Sequence, residues 1–145
     1  MSLHPRPKST ILYADDDMDD IQLVSEAFQT YRANVDVINF PNGSELLRFV
    51  RGLEDNFLPC LIILDINMPI LNGKECLVKI REDERFSNVP VILFTTSSQQ
   101  RDIDFALSYN ARLITKPIHE RQMMKIADIF LEHCGSTERE SIQRI

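Results

Sequence analysis

The stretch Leu61-Ile62-Ile63-Leu64-Asp65 carries most of the information about the fold of this chain. Its first four residues are all apolar, whereas a strand with one face in water would alternate apolar and polar residues. Both faces of this strand must therefore be covered, which is typical of a parallel sheet between two layers of helices. The aspartate that follows lies at the carboxyl edge of the sheet, where proteins of this architecture bind ligands.

Four more short apolar runs rich in branched residues occur along the chain. The predicted strands are 11–14, 35–40, 60–64, 91–94 and 112–115. Between them, apolar residues recur three or four positions apart, as expected of helices with one buried face. The pattern predicts an α/β fold of the (βα)5 flavodoxin-like kind, in which a five-stranded parallel sheet of order 2-1-3-4-5 has helices on both faces.

The length of the chain fits one domain, because 145 residues with 43% hydrophobic content can bury a single core. The apolar periodicity divides the chain into three parts. We predict a disordered N-terminal extension over residues 1–8, a folded domain over 9–133, and a polar C-terminal tail over 134–145.

Charge and apolar content restrict the location and the partners. The chain has 16 basic and 22 acidic residues, and a net charge of -6 disfavours direct binding to nucleic acid or to an anionic membrane. No apolar run is long enough to span a bilayer. The three cysteines, Cys60, Cys76 and Cys134, form no CxxC pair, so we expect reduced thiols. These features predict a soluble, cytoplasmic protein.

Acidic residues follow two strands that the predicted order makes neighbours: Asp15, Asp16 and Asp17 follow the first, and Asp65 follows the third. Two carboxylates ~4 Å apart repel by about 4 kcal/mol at an effective dielectric of about 20, so the cluster needs a cation. Asp17 is placed to cap the next helix. The other three suit Mg²⁺, since the chain has no EF-hand spacing for Ca²⁺ and its histidines are too scattered for Zn²⁺.

Asp65 can act as a nucleophile toward phosphorus and form an aspartyl phosphate. The ends of the fourth and fifth strands supply suitable partners, since Thr95 and Thr96 offer hydroxyls and Lys116 offers a positive charge. Taken singly, the hydroxyls could cap a helix and the lysine could be an ordinary surface cation. Together, four strand ends that converge on one edge indicate a phosphate site.

Four ordered motifs now identify a family resemblance. They are the runs 11–17, 64–69 with Gly73, 90–96 and 115–117. Together they resemble the receiver domain of two-component response regulators over residues 9–133. The segment 51–59 and the hydroxyl cluster after strand 4 are similar to single-domain regulators of the chemotaxis type and to those that partner phytochrome-type kinases.

The resemblance implies a role for each site residue and a phosphoryl donor. Asp65 would be the phosphoacceptor, and Mg²⁺ would be held by Asp15, Asp16, Asp65 and the backbone carbonyl of Asn67. The phosphate-contacting and switch residues would be Thr95, Thr96 and Lys116, with a cis peptide between Lys116 and Pro117. The donor would be a phosphohistidine on a sensor histidine kinase or a histidine phosphotransfer protein. The domain itself would be a switch and not an enzyme.

The expected output surface involves the fifth strand and the helices beside it. Leu113 stands where the family often has an aromatic residue, so the signal must travel differently here. On the last helix, Met124 and Leu131 form an apolar row beside the core stripe. We predict that helix 4, strand 5 and helix 5 form a surface for a protein target or a homodimer. The alternative is that this row only borders the core.

Three other functions fit parts of the sequence pattern. A haloacid-dehalogenase-like phosphatase would use Asp15 as its nucleophile, but it needs a late acidic pair after a strand and leaves Asp65 unexplained. A flavin-binding electron carrier shares the predicted fold, but the first loop is acidic where a flavin phosphate needs neutral donors. An interaction module that is never phosphorylated would have no use for the acidic, hydroxyl and lysine residues together.

Overall fold

A computed structural model describes residues 9–31 and 35–143, with side chains for residues 9–30 and 35–134. The expected N-terminal extension, 1–8, lies outside the described residues. The strands are β1 Ser9–Ala14, β2 Val35–Phe40, β3 Leu61–Leu64, β4 Val91–Thr95 and β5 Arg112–Thr115. The α-helices are α1 Met18–Tyr31, α2 Gly43–Arg51, α3 Gly73–Glu82, α4 Gln100–Ser108 and α5 Glu120–Gln143. Single 3₁₀ turns lie at Asp55–Phe57 and Glu84–Phe86.

All four strand pairs are parallel, and the sheet order is β2-β1-β3-β4-β5, which confirms the predicted fold. The register aligns the carboxyl ends of the strands. Ala14 at the end of β1 pairs with Leu64 at the end of β3, and Thr95 at the end of β4 pairs with Thr115 at the end of β5. The residues that follow these strands therefore lie at one edge of the sheet.

Two apolar cores cover the two faces of the sheet, and successive strand residues alternate between them. In β1, Leu12 packs with α2 and α3, whereas Ile11 and Tyr13 pack with α1 and α5. All four residues of β3 are completely buried. This two-sided burial explains why the central strands are apolar at every position.

The expectation of three reduced thiols is wrong for two of them. Cys60, just before β3, and Cys134, on α5, form a disulfide with their Cα atoms 5.0 Å apart, and Cys76 is a free, buried thiol. The pair is 74 residues apart in sequence. The packing of α5 across the start of β3 brings them together, and sequence spacing carries no sign of it.

The α5 helix extends through Gln143 and so includes most of the stretch expected as a polar tail. The domain boundary at residue 134 remains a prediction. Among the described residues, no helix is both long and apolar enough to cross a membrane.

Gly73 begins α3 and fixes how closely that helix approaches the end of β3. A Cβ atom at this position would overlap the carbonyl oxygen of Asp65 and lie 2.8 Å from its carbonyl carbon. The Gly73 amide also donates to the Ile66 carbonyl at 3.0 Å. The absence of a side chain at this position therefore allows the backbone that carries Asp65 to pack directly against α3.

We predict that Gly73→Ala lowers the free energy of unfolding by more than about 2 kcal/mol, because backbone atoms must move to admit the methyl group. The control is Gly52→Ala at the end of α2, where the nearest atom to an added Cβ is 3.7 Å away. That variant should change stability by less than about 1 kcal/mol. Urea unfolding of both variants measures the difference, and equal losses would contradict the close-approach argument.

Candidate functional site

Three carboxylates meet at the carboxyl edge of the sheet as the sequence predicted. Asp15, Asp16 and Asp65 each offer an oxygen, and these oxygens all lie within 4.8 Å of one another. Asp15 is fully buried, Asp65 is buried and Asp16 is exposed. Two inner ligands and one facing solvent suit Mg²⁺, which takes a few carboxylates and keeps several waters.

Asp15 is oriented by its own strand and by the turn that follows. The Tyr13 hydroxyl donates a hydrogen bond to its Oδ2 at 2.6 Å, and the Asp17 amide donates to its Oδ1 at 2.9 Å. Burial raises the pKa of the Tyr13 phenol, and the charge of Asp15 raises it further, so this hydroxyl stays a donor. Asp17 caps α1, because its Oδ1 accepts from the Asp19 amide at 2.9 Å, which confirms the predicted cap.

Asp65 follows β3 and is buried at a position where a negative charge is unfavourable. Burial, first, and repulsion by Asp15, second, raise its pKa to about 6, although the positive charge of Lys116 acts in the opposite direction. An ionised Asp65 is therefore destabilised at neutral pH unless more positive charge arrives. A bound divalent cation would supply that charge.

Lys116, after β5, places its ammonium among the carboxylates. Its Nζ lies 2.7 Å from Asp20 Oδ2, 2.9 Å from Asp15 Oδ2 and 3.3 Å from Asp65 Oδ2. Burial alone would lower the pKa of this lysine, but hydrogen bonds to Asp20 and Asp15 raise it above its ordinary value. The side chain is only 7% exposed, so it is a permanently charged group inside the site and not a surface lysine.

The loop after β4 supplies hydroxyls. Thr95 is fully buried, and its Oγ1 accepts a hydrogen bond from the Ser97 amide at 3.3 Å. Thr96 is exposed. The Ser97 hydroxyl donates to Asp102 of α4 at 2.5 Å, and Asp102 forms an ion pair with Lys74 of α3. The loop is thereby attached to two helices.

Asn67 is the fourth metal ligand that the resemblance implies. Asn67 follows Asp65 by two residues and has an exposed side chain. Binding of the metal by its backbone carbonyl remains a prediction.

The expected cis peptide at Lys116-Pro117 is wrong, because the described residues contain no cis peptide bond. The trans form is also the lower in free energy for X-Pro bonds, by about 0.5–1 kcal/mol.

The expected apolar row on α5 is not an exposed surface. Leu131 is 8% exposed and belongs to the core between α5 and the sheet, while Met124 is partly buried against that core. Leu113 is likewise partly buried, on the opposite face of the sheet. The row therefore borders the core, which was the alternative interpretation. On the neighbouring α4, Leu107 is 64% exposed.

Sequence reasoning missed Tyr13 and Asp20. Tyr13 stands inside an apolar strand and resembles an ordinary core aromatic, and Asp20 resembles any acidic residue in the first turn of a helix. The available signal for Tyr13 was its hydroxyl, two residues before Asp15, which could have indicated a hydrogen bond to that carboxylate. The contact between Asp20 and Lys116 spans 96 residues and leaves no local signal.

The raised pKa of Asp65 predicts that Asp65→Asn stabilises the metal-free protein. Below about pH 4 the carboxyl is protonated in both the folded and unfolded states, and the variant gains nothing. Between about pH 4 and the folded-state pKa of about 6, the wild type progressively loses stability, because the carboxyl ionises in the unfolded chain while it stays protonated in the folded protein. At pH 7.5 in EDTA the gain should reach about 3 kcal/mol, from a pKa raised to about 6.

Urea unfolding at several pH values measures this gain, with Asp19→Asn as the control, because Asp19 is exposed and nearby. A gain that does not depend on pH, or a loss of stability at pH 7.5, would contradict the assignment of charge repulsion to Asp65.

Comparison with known proteins is consistent with this geometry. The family model of the response regulator receiver domain matches residues 11–128. The response regulator Rcp1 of Synechocystis sp. (strain ATCC 27184 / PCC 6803 / Kazusa) is 29% identical over 131 residues, which cover 87% of this chain and 88% of Rcp1.

Two solved structures are also similar. Phosphorylated RcpA, a cyanobacterial phytochrome response regulator, has a TM-score of 0.78 and 30% identity, covering 90% of this chain and 96% of that chain. The Mn²⁺-bound form of Rcp1 has a TM-score of 0.74 and 26% identity, covering 86% and 92%. The family match covers most of the chain, and this chain therefore belongs to the response-regulator receiver domain family.

Proposed function

We propose that this protein accepts a phosphoryl group on Asp65 in a reaction that depends on Mg²⁺, and that it signals by contact with another protein. The observation that carries the proposal is the shared position of Asp15, Asp16, Asp65 and the Lys116 ammonium at one sheet edge. A phosphoryl acceptor needs a carboxylate nucleophile with positive charge around it.

Each residue has a defined part in the proposed reaction. An oxygen of Asp65 attacks phosphorus and forms the acyl phosphate bond as the bond from phosphorus to the donor nitrogen breaks. Asp15, Asp16 and the Asn67 carbonyl would hold Mg²⁺, which when bound neutralises charge on the phosphoryl oxygens. Lys116 supplies a second positive charge, and Thr95 offers a hydroxyl from the neighbouring strand. The chain's chemistry is confined to gaining and losing this group.

We propose a phosphohistidine on a sensor histidine kinase or a histidine phosphotransfer protein as the donor, and the cytoplasm as the location of this protein. Exposed apolar side chains occur on the three segments that carry the site residues. Met18, Ile70 and Ile118 are 73%, 80% and 89% exposed. They provide apolar contact area for a partner that brings its phosphohistidine to Asp65.

The first test is phosphorylation by acetyl phosphate with Mg²⁺, followed by intact mass measurement. The wild type should gain one phosphoryl group, and Asp65→Asn should gain none, because it lacks the nucleophile. EDTA should abolish the gain in the wild type, since the repulsion among three carboxylates would then oppose an anionic donor. Addition of a phosphoryl group to Asp65→Asn would contradict the assignment of the acceptor.

We propose that the output surface includes α4, because this helix contacts the loop beside the site and also has an exposed apolar residue. Asp102 accepts a hydrogen bond from Ser97 in the loop that follows Thr95, and Leu107 is exposed one and a half turns later in α4. A second copy of this chain or a target protein would contact Leu107. Leu113 is partly buried in the same core as α4 and would lie beneath this surface, whereas Met124 and Leu131 pack in the core on the opposite face of the sheet.

We predict that beryllofluoride with Mg²⁺ promotes self-association in the wild type and that Leu107→Glu weakens it by about tenfold or more, since a charge would enter an apolar contact. Ser108→Glu is the control, as it adds the same charge at the next exposed position. Sedimentation equilibrium measures both. Equal self-association of the wild type and Leu107→Glu would exclude this residue from a dimer contact.

A further inference from the structure

Lys116 is shared among three carboxylates, and the proposed phosphoacceptor has the longest of the three contacts. Its Nζ donates a hydrogen bond to Asp20 Oδ2 at 2.7 Å, whereas Asp65 Oδ2 is 3.3 Å away. Asp15 Oδ2 lies between these values at 2.9 Å. The ammonium is therefore drawn toward α1, the helix that carries Asp20, and away from the end of β3.

Asp20 differs from the other two carboxylates in its position. It lies in the first turn of α1, its side chain is 27% exposed, and it is not part of the group formed by Asp15, Asp16 and Asp65. A divalent cation that binds that group would leave the bond between Asp20 and Lys116 in place. The pairing of Asp20 with the lysine is thus separable from metal binding.

An ammonium has only three N–H donors, and three carboxylates face this one. A phosphoryl group on Asp65 would need a donor from the same ammonium, because Lys116 can make charge-assisted bonds to its oxygens. Asp20 competes for that donor. Its negative charge on the same cation also disfavours the additional charge of a phosphoryl group.

We propose that Asp20 is a positioning residue that competes with the phosphoryl group for Lys116 and so weakens the hold of the site on a phosphoryl group. The inference rests on the proposed function, since it assumes that Asp65 is the acceptor. Asp20 thereby adjusts the balance between the free and phosphorylated states without touching the phosphoryl group.

The test measures the affinity of the full chain for beryllofluoride, a phosphoryl mimic, in saturating Mg²⁺ by fluorine NMR. Asp20→Asn removes the charge and keeps an oxygen that can accept from Lys116, whereas Asp20→Ala removes both. We expect Asp20→Asn to bind about fivefold more tightly than the wild type and Asp20→Ala about tenfold, the size of a partly screened charge-assisted bond.

The matched control is Asp19→Asn, which removes the same charge from the same helical turn at an exposed position. It should change the affinity by less than about twofold, because exposed charges are screened. A gain in affinity also separates competition from a structural role, since a residue that merely stabilises the site would lower the affinity when it is removed.

The possible outcomes are distinct. If both Asp20 variants bind beryllofluoride no more tightly than the wild type, or no more tightly than Asp19→Asn, the inference is wrong while the proposed function stands. If the wild type binds no beryllofluoride, or if Asp65→Asn binds it equally well, the proposed function fails and the inference fails with it. Urea unfolding in EDTA confirms that each variant is folded.

Discussion

The buried ammonium of Lys116 is the charge on which this site depends. Within the described part of the chain it contacts Asp15, Asp20 and Asp65, with a side chain that is 7% exposed. A buried carboxylate pair without a cation would be strongly unfavourable, and removal of one partner from a buried ion pair typically costs about 3–5 kcal/mol. The lysine thus allows acidic residues to be kept at the edge of the sheet before any metal binds.

The rest of the fold holds this ammonium in place. The Lys116 amide donates to the Thr95 carbonyl at 2.7 Å, so the β4 and β5 pairing extends to the residue that carries the charge. The ring of Phe94 lies 5.8 Å from Nζ, which favours a cation there. On the other side, Gly73 allows α3 to approach the backbone of Asp65. A site of this kind needs rigid strands beneath it. Packing against the two apolar cores makes the strands rigid.

Sequence reasoning predicted the features of this molecule that are set by local patterns. The apolar run 61–64 identified the sheet, and acidic residues directly after strands identified the site, because few structural demands place Asp15 or Asp65 there. Sequence reasoning could not predict contacts between elements that are far apart in the sequence. The disulfide of Cys60 and Cys134 depends on how α5 crosses the sheet.

Two side-chain environments were not predicted, for opposite reasons. The periodicity of α5 places Leu131 outside the central stripe, but a helix that packs against a twisted sheet buries a band wider than one stripe, and Leu131 is only 8% exposed. The pairing of Asp20 with Lys116 was invisible for the opposite reason. A helix-terminal acid has a sufficient local explanation, so nothing in the sequence called for a second one.

The attachment of the β4 loop to its neighbours limits how a change at Asp65 can spread. Thr95 accepts from the Ser97 amide, Ser97 donates to Asp102, and Asp102 pairs with Lys74, so the hydroxyl nearest the strand end is connected to α4 and α3. Asp102 is buried, and breaking its contacts with one partner would leave a charge poorly compensated. A shift of the loop is therefore cheaper if α4 moves with it than if the loop moves alone. This physical coupling is the reason we propose α4 and not α5 as the carrier of the signal, since Met124 and Leu131 of α5 pack in or against the core.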